Sequence, residues 1–180
     1  MPAAGEGRAS MRSFPRLPLA LLAAALAAAC TFLHPDNSKP LDSAVADYAD
    51  KTILFAGGGH GYQVEYYAPD GSAYLWYPGN ERTLRGAWKV EEGELGNRLC
   101  FRYGANTYNP VTKTRGDSWE CVLLGDIRLM LQEEAEGDIL YLATNRSVPF
   151  DSKRKRLPSF EVIFEVLGPR RLQERAAGLR

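Results

Sequence analysis

Gly61-Tyr62-Gln63-Val64-Glu65-Tyr66-Tyr67-Ala68-Pro69-Asp70-Gly71-Ser72-Ala73-Tyr74-Leu75-Trp76-Tyr77 is the stretch that decides the fold. Val64, Tyr66 and Ala68 alternate with Gln63, Glu65 and Tyr67, the period-two pattern of a strand. Pro69-Asp70-Gly71-Ser72 is a turn, because Pro presets φ and Gly tolerates positive φ. Ala73 to Tyr77 is a second strand, and Pro78-Gly79-Asn80 closes it.

The same grammar continues downstream. Gly86 to Val90 carries Trp88 and runs into a Glu92-Gly93 turn. Arg98 to Tyr103 is a strand with Leu99, Phe101 and Tyr103 on one face, and Ser118 to Leu124 is its partner. Ile127, Leu129 and Leu131 alternate with Arg128 and Met130. Glu133 to Gly137 reads as a charged turn and Asp138 to Ala143 as a return strand. Phe160, Val162, Phe164 and Val166 alternate with Glu161, Ile163 and Glu165, again period two. Upstream, Leu41 to Ala49 suits a short helix capped by Asp42 or Ser43, with Val45 and Tyr48 on one face. Many short strands without long helices between them predict an all-β chain, an antiparallel meander barrel or sandwich with a short N-terminal helix. The absence of long helical patterns between the strands argues against a parallel α/β sheet.

Met11 to Cys30 reads as an export segment: Arg12 and Arg16, then an apolar run from Leu17 to Ala29, then small residues. The run is shorter than the roughly 20 residues needed to span a bilayer. Met11 also serves as a start, since residues 1–10 add nothing that export needs. Three readings stand open. Leu26-Ala27-Ala28-Ala29-Cys30 resembles a bacterial lipoprotein box, with Cys30 as the lipidated residue, although Ala27 stands where that box usually has Leu. Ala27-Ala28-Ala29 also satisfies a plain cleavage site that releases a soluble periplasmic chain, and an uncleaved segment would be an anchor. The expectation adopted is a lipoprotein at the outer membrane, since Thr31 is not the Asp that retains some lipoproteins at the inner one. Domain organisation follows: residues 1–29 a signal peptide, 30–40 a polar tether with Pro35 and Pro40, 41–167 one antiparallel β domain, 168–180 a basic tail.

Lys and Arg together number 22 and Asp and Glu 22, so the chain carries no net charge and no global attraction to nucleic acid. Basic residues concentrate late, at Lys153-Arg154-Lys155-Arg156, Arg170, Arg171, Arg175 and Arg180. The four consecutive basic residues could meet lipid or lipopolysaccharide phosphates, though such a run is ordinarily a solvated loop.

Export makes Cys100 and Cys121 a disulfide pair closing a loop of about 20 residues, worth roughly 3 kcal/mol through the unfolded state. That bond would pin the loop 104–117, which offers Asn106, Tyr108, Asn109, Lys113 and Arg115 for binding. Arg115-Gly116-Asp117 is too short a match to an adhesion tripeptide to mean anything. Aromatic residues crowd Tyr62 to Trp119. In consecutive pairs such as Tyr66-Tyr67 and Trp76-Tyr77, one ring must face outward or into a cleft. Candidate binding residues are therefore Trp76, Tyr77, Arg102, Tyr103, Asn106, Tyr108, Arg115 and Trp119. Gly57-Gly58-Gly59-His60-Gly61 is a turn or bulge: Tyr62 breaks the dinucleotide spacing and no Lys-Ser/Thr follows for a phosphate loop. His60 has no cluster of His or Cys around it in sequence, so no metal or other cofactor is expected. Glu91-Glu92 and Glu133-Glu134 read as solvated turn carboxylates, and no nucleophile–base spacing marks a catalytic site.

Tyr67-x-x-Asp70-Gly71, Gly86-x-Trp88-x-Val90-x-x-Gly93, Leu99-Cys100-Phe101-Arg102-Tyr103 and Trp119-Glu120-Cys121 together resemble a group of small exported alphaproteobacterial proteins of no assigned function. The resemblance spans roughly Thr52 to Val122. It implies a compact β domain with a cysteine pair after the Gly-x-Trp-x-Val strand, and it brings no catalytic residue. The expected function is a non-enzymatic, membrane-anchored envelope domain that binds an envelope component or a partner protein, through its aromatic face and the 104–117 loop. The alternative is a small hydrolase or lipid-handling protein with an internal aromatic cavity. A roomy, aromatic-lined interior would mark the alternative, and a packed interior under an exposed aromatic patch the first.

Overall fold

The computed structural model describes residues 34–57, 59–76, 80–145 and 159–176. The export segment with Cys30, the Tyr77-Pro78-Gly79 stretch and the basic run 153–156 lie outside them. Seven strands form one antiparallel sheet curled into a half-barrel, as the alternating pattern predicts. In chain order they are β1 (Lys51–Gly57), β2 (Gly61–Tyr67), β3 (Ser72–Trp76), β4 (Leu84–Gly93), β5 (Gly96–Tyr103), β6 (Glu120–Leu123) and β7 (Leu131–Glu136). β1 to β6 are a meander, and β7 returns to pair with β1, so the order across the sheet is β6-β5-β4-β3-β2-β1-β7. β1 is missed by a reading that starts strands after the glycine cluster. That cluster is the β1–β2 hairpin turn, which ends the pairing at Gly57 and Gly61.

The predicted hairpin at Pro69-Asp70-Gly71-Ser72 forms as read. Asp70 Oδ1 accepts from the Ser72 N–H at 2.8 Å, and Gly71 takes φ 83°. The next hairpin is longer than expected. β4 continues through Glu92 to Gly93, which faces Gly96, so Glu91 and Glu92 are strand residues and not turn carboxylates. Glu91 stays there because Lys89 and Arg98 each reach it at 2.5 Å. Cys100 faces Cys121 directly across β5 and β6 and the two are bonded, with Cα atoms 4.0 Å apart.

Neither edge strand, β6 nor β7, pairs with the other, yet the seven residues of α2 (Leu124–Met130) carry the chain from one to the other. At 1.5 Å per residue that helix is about 10 Å long, so the edges lie roughly that far apart and α2 fills the seam between them. The alternation of Ile127, Leu129 and Leu131 predicts a strand here, and the structure corrects it. Leu124 and Ile127, three apart, are buried, and Leu129, which strand alternation would put inside, is 71% exposed. Asn37 Oδ1 accepts from the Gly125 N–H at 2.8 Å and so satisfies one of the donors that a helix start leaves free.

Asn37 belongs to a 3₁₀ turn (Pro35–Ser38) in the stretch whose composition predicts a tether. His34 to Pro40 instead packs against the domain. Asp36 and Asn37 are buried, Asp36 is paired with Lys39 and Arg128 at 2.8 Å each, and Asn97 Nδ2 donates to the Lys39 carbonyl at 2.7 Å. Burial pushes the Asp36 carboxyl up, but the hydrogen bonds from Lys39 and Arg128 outweigh it and hold the group below its ordinary value. Arg128 also reaches Glu134 at 3.2 Å and Asp47 at 3.6 Å, tying α2 to β7 and to the end of α1 (Leu41–Ala46). α1 is the predicted short helix, though Pro40 holds its N-cap position and neither Asp42 nor Ser43 caps it.

The sheet is covered on both faces. Outside, Leu54, Val64, Tyr66, Ala68 and Trp76 pack against Leu140, Leu142, Phe160, Ile163 and Leu167. The last three belong to α3 (Phe160–Ala176), interrupted at Gly168 (φ 67°) before Pro169. The period-two reading of this stretch fails on Ile163: in a strand it would share a face with Glu161 and Glu165. As a helix, 160, 163 and 167 form one buried stripe and the two glutamates are exposed. Glu133 fixes the helix start by accepting from the Phe160 N–H at 2.6 Å. Glu133 and Glu134 therefore sit in β7, not in a turn. Asp138 to Ala143 is a turn, not a strand, held by Asp138 accepting from the Leu142 and Ala143 N–H groups at 2.7 and 2.8 Å. Inside, Tyr48, Ile53, Tyr67, Trp88, Val90, Leu99, Leu124 and Ile127 fill one end of the half-barrel. The Tyr67 ring lies 5.4 Å from Trp88, 5.8 Å from Phe101 and 6.1 Å from Tyr48.

Arg128→Met leaves the buried Asp36 with one cation fewer. Chemical denaturation should show a loss of about 2–3 kcal/mol, and Arg128→Met combined with Asp36→Asn should recover part of it. A double variant as unstable as the sum of its singles would show that the pair does not couple.

Candidate functional site

The other end of the half-barrel is open. A cavity of about 270 Å³ runs from the mid-level of the sheet to a mouth between the β1–β2 hairpin and the 104–117 loop. Much of its wall is apolar: Phe55 from β1, Leu75 from β3, Leu84 from β4, Phe101 from β5, Val122 from β6, and Ile127 and Met130 from α2; Gln63, Glu120 and the loop's Asn109 and Thr114 add polar groups. Each strand residue sits at an inward position of the register, so the walls follow from the alternation that built the sheet.

Glu65 is the polar group in the floor. It is 3% exposed, and its two carboxylate oxygens are divided between two phenols. Tyr67 Oη donates to Oε2 at 2.8 Å, and Tyr103 Oη donates to Oε1. Burial raises the Glu65 carboxyl to about 7; the two phenol bonds oppose that shift without cancelling it. The same burial, with Glu65 as a neighbour, drives Tyr67 well above its ordinary value, so it stays a donor.

The Tyr103 bond depends on curvature and on small residues. Three strand spacings of roughly 4.8 Å put β2 and β5 about 14 Å apart in a flat sheet, too far for the two side chains to meet. Curling shortens that chord. On the row that runs from Tyr67 to Tyr103, the intervening positions, Ala73 and Gly86, are small. A Cβ on Gly86 would sit 2.6 Å from Tyr103 Cδ1 and 2.7 Å from the Arg102 carbonyl oxygen, so only glycine leaves room for the ring.

The mouth is built by the loop that the disulfide pins. Tyr108 and Arg115 form a bridge, and Asn109 accepts from the N–H groups of Val111 and Thr112 at 3.0 and 3.2 Å. Asn109 Nδ2 and Thr114 Oγ1 donate to Glu120. Val111 lies over Gly59: a Cβ there would come within 3.2 Å of it. His60 stands beside this contact and lines the cavity, with burial lowering its imidazole and Glu120 opposing that shift.

Of the residues singled out by sequence, Tyr103 and Tyr108 line the cavity. Asn106 and Arg115 are exposed on the loop. Arg102 and Trp119 lie on the outer face, where Arg102 and Lys89 stand 4.9 and 4.7 Å from the Trp119 ring. Trp76 is fully buried in the outer core. Tyr77 and Cys30 fall outside the described residues. Glu65 is the residue that sequence reasoning missed. A lone acid in an alternating strand reads as the solvent face. The signal that could have found it is that Tyr67, two positions on, shares its face with small residues, Ala73 and Gly86, on the neighbouring strands.

The chain matches no protein-family model, no curated protein and no solved structure.

Glu65 holds its proton to higher pH in the folded than in the unfolded chain. Between about pH 4.5 and 7 the folded state binds the extra proton, so stability from this group falls as pH rises through that window and is level above it. Glu65→Gln removes the dependence. The variant should match the wild type near pH 4.5 and exceed it at pH 8 by on the order of 3 kcal/mol, read from denaturation midpoints across pH. Parallel profiles for the two proteins would sink the assignment.

Proposed function

We propose that this chain is a non-enzymatic binding domain of the cell envelope, tethered through Cys30, whose ligand is a small and largely apolar envelope component held inside the half-barrel. The observation that carries the reading is the cavity: largely apolar walls, a mouth, and a few polar groups with the buried Glu65 at the floor, the usual make-up of a small-molecule site. About 150 Å³ suffices for benzene in an apolar protein cavity, so 270 Å³ takes a single ring with a short chain or a short amphiphile. Most of the aromatic cluster that could have formed an outer binding face is used in packing. Tyr66, Tyr67, Trp76 and Trp88 are buried, and among the described residues Trp119 and Tyr108 are the exposed rings. That shifts support from a partner-protein surface to the interior.

The interior cavity equally fits the alternative, a hydrolase or lipid-handling protein, and its hydrolase form has a further observation in its favour: a carboxyl raised to about 7 can both take and give a proton near neutrality. Glu65→Gln separates the two readings, since it abolishes turnover in a hydrolase but leaves neutral ligands their cavity.

Calorimetric titration with n-propylbenzene, a neutral single ring with a short chain, should give saturable binding. Leu75→Trp, which fills the cavity, should remove it while the protein keeps a cooperative thermal transition. Binding that is absent, or unchanged in a folded Leu75→Trp variant, overturns the cavity reading. For the location, intact mass of protein from its native envelope should show a chain that begins at Cys30 and carries a diacylglyceryl group. An unlipidated chain of the same start would instead mean free release into the periplasm.

A further inference from the structure

We propose that the ligand of this cavity is a small organic ammonium ion, its protonated nitrogen held against Glu65 and its apolar body against Phe55, Leu75 and Phe101. The inference rests on the small-molecule reading above and deepens it. Three observations converge.

First, the hydrogen-bond partners of Glu65 are neutral. A buried carboxylate ordinarily has a cation or a metal beside it. Here both oxygens take phenol hydroxyls, and among the described residues no Lys or Arg lines the cavity. Each carboxylate oxygen has a second lone pair to offer, so the floor can accept from a ligand N–H without giving up either tyrosine.

Second, the carboxylates of the cavity share one sign. Glu65 lies at the floor and Glu120 at the wall, and Glu120 is held in place by Asn109 and Thr114. A carboxylate-headed ligand would face two like charges, and an ammonium would be drawn to both.

Third, rings surround the carboxylate. Phe101 and Tyr103 line the cavity with Glu65, and the Tyr67 ring stacks on Phe101 at 5.8 Å; an ammonium beside such rings gains cation–π attraction that grows with desolvation. The apolar remainder of the wall then selects the body of the ligand.

The groups that face Glu65 also define the expected pH dependence. Tyr67 comes from its own strand and Tyr103 from β5. Tyr48, from the turn after α1, stands behind Tyr67, and His60 and Glu120 border the same space. β1, β3, β4 and α2 contribute Phe55, Leu75, Leu84, Ile127 and Met130, none of which titrates. Glu65 loses its proton at about 7, and burial keeps His60 neutral to below its ordinary value. Ammonium affinity should therefore rise about tenfold from pH 6 to pH 8, where a primary amine is still protonated.

Calorimetry on the full chain with phenethylamine, 2-phenylethanol and phenylacetate tests this with one ring and three heads. At pH 8 the amine should bind at least tenfold more tightly than the alcohol, and phenylacetate should not bind. Glu65→Gln should abolish the preference and keep the alcohol, with its thermal transition confirming the fold. An alcohol that binds as well as the amine, or a preference that survives Glu65→Gln, overturns the ammonium assignment and leaves the cavity reading standing. The ammonium assignment falls in the same way if none of the three binds while n-propylbenzene does. If n-propylbenzene also fails to bind, both readings fall together.

Discussion

The curl of the sheet is the constraint on which the rest of the molecule depends. Among the described residues β6 and β7 do not pair with each other, and a flat sheet would expose both as unpaired edges, with no chord short enough for Tyr103 to reach Glu65. The curl needs two things. Inside, it needs positions where opposite walls approach without collision, which Ala73 and Gly86 supply. At the seam it needs a filler of the right length, and seven helical residues of α2 span the gap that strands leave. The ion network around Arg128 is the clamp on that filler. It takes Asp36 from the N-terminal turn, Asp47 from the end of α1 and Glu134 from β7, and so binds three separate stretches of chain to one guanidinium.

What sequence could and could not reveal follows from the range of the forces involved. The β2–β3 hairpin is legible because Pro69, Asp70 and Gly71 specify their own turn within four residues. The cysteine pair is legible because export restricts what two cysteines do. The two helices whose sequences alternate like strands are decided elsewhere. FEVIF fits both periods until Ile163 is counted, and what settles it is a cover for the outer face of the sheet plus a cap from Glu133, 27 residues upstream. α2 is settled by Asn37 and Asp36, which are distant in sequence. The polar stretch 34–40 looks like a tether for the same reason: Asp36 and Asn37 are hydrophilic by composition, yet each has a specific buried partner on α2.

The disulfide and the loop after it form a second, smaller unit. Cys100–Cys121 lies on the outer face, one strand position from the inward Phe101, and ties β6 to β5 just where the chain leaves and re-enters the sheet around 104–117. The loop is then stiffened by its own polar contacts to Glu120, and Val111 is laid across the glycine turn of β1–β2. The glycines of that turn admit this close contact.

Glu65 remains the group that stability does not explain. A buried carboxyl supported by two phenols, with no cation hydrogen-bonded to it among the described residues, costs more to hold ionised than an apolar side chain of the same volume would. β2 could have carried Leu or Met there and packed against Leu75 and Phe101. Tyr67 and Tyr103 sharpen the point, since each directs its hydroxyl to this one carboxylate, and Gly86 forgoes a side chain so that Tyr103 can arrive. Four positions on three strands are thus committed to one ionisable group at the floor of an open cavity. That concentration of positions on one carboxyl is the feature on which the proposed binding reading rests.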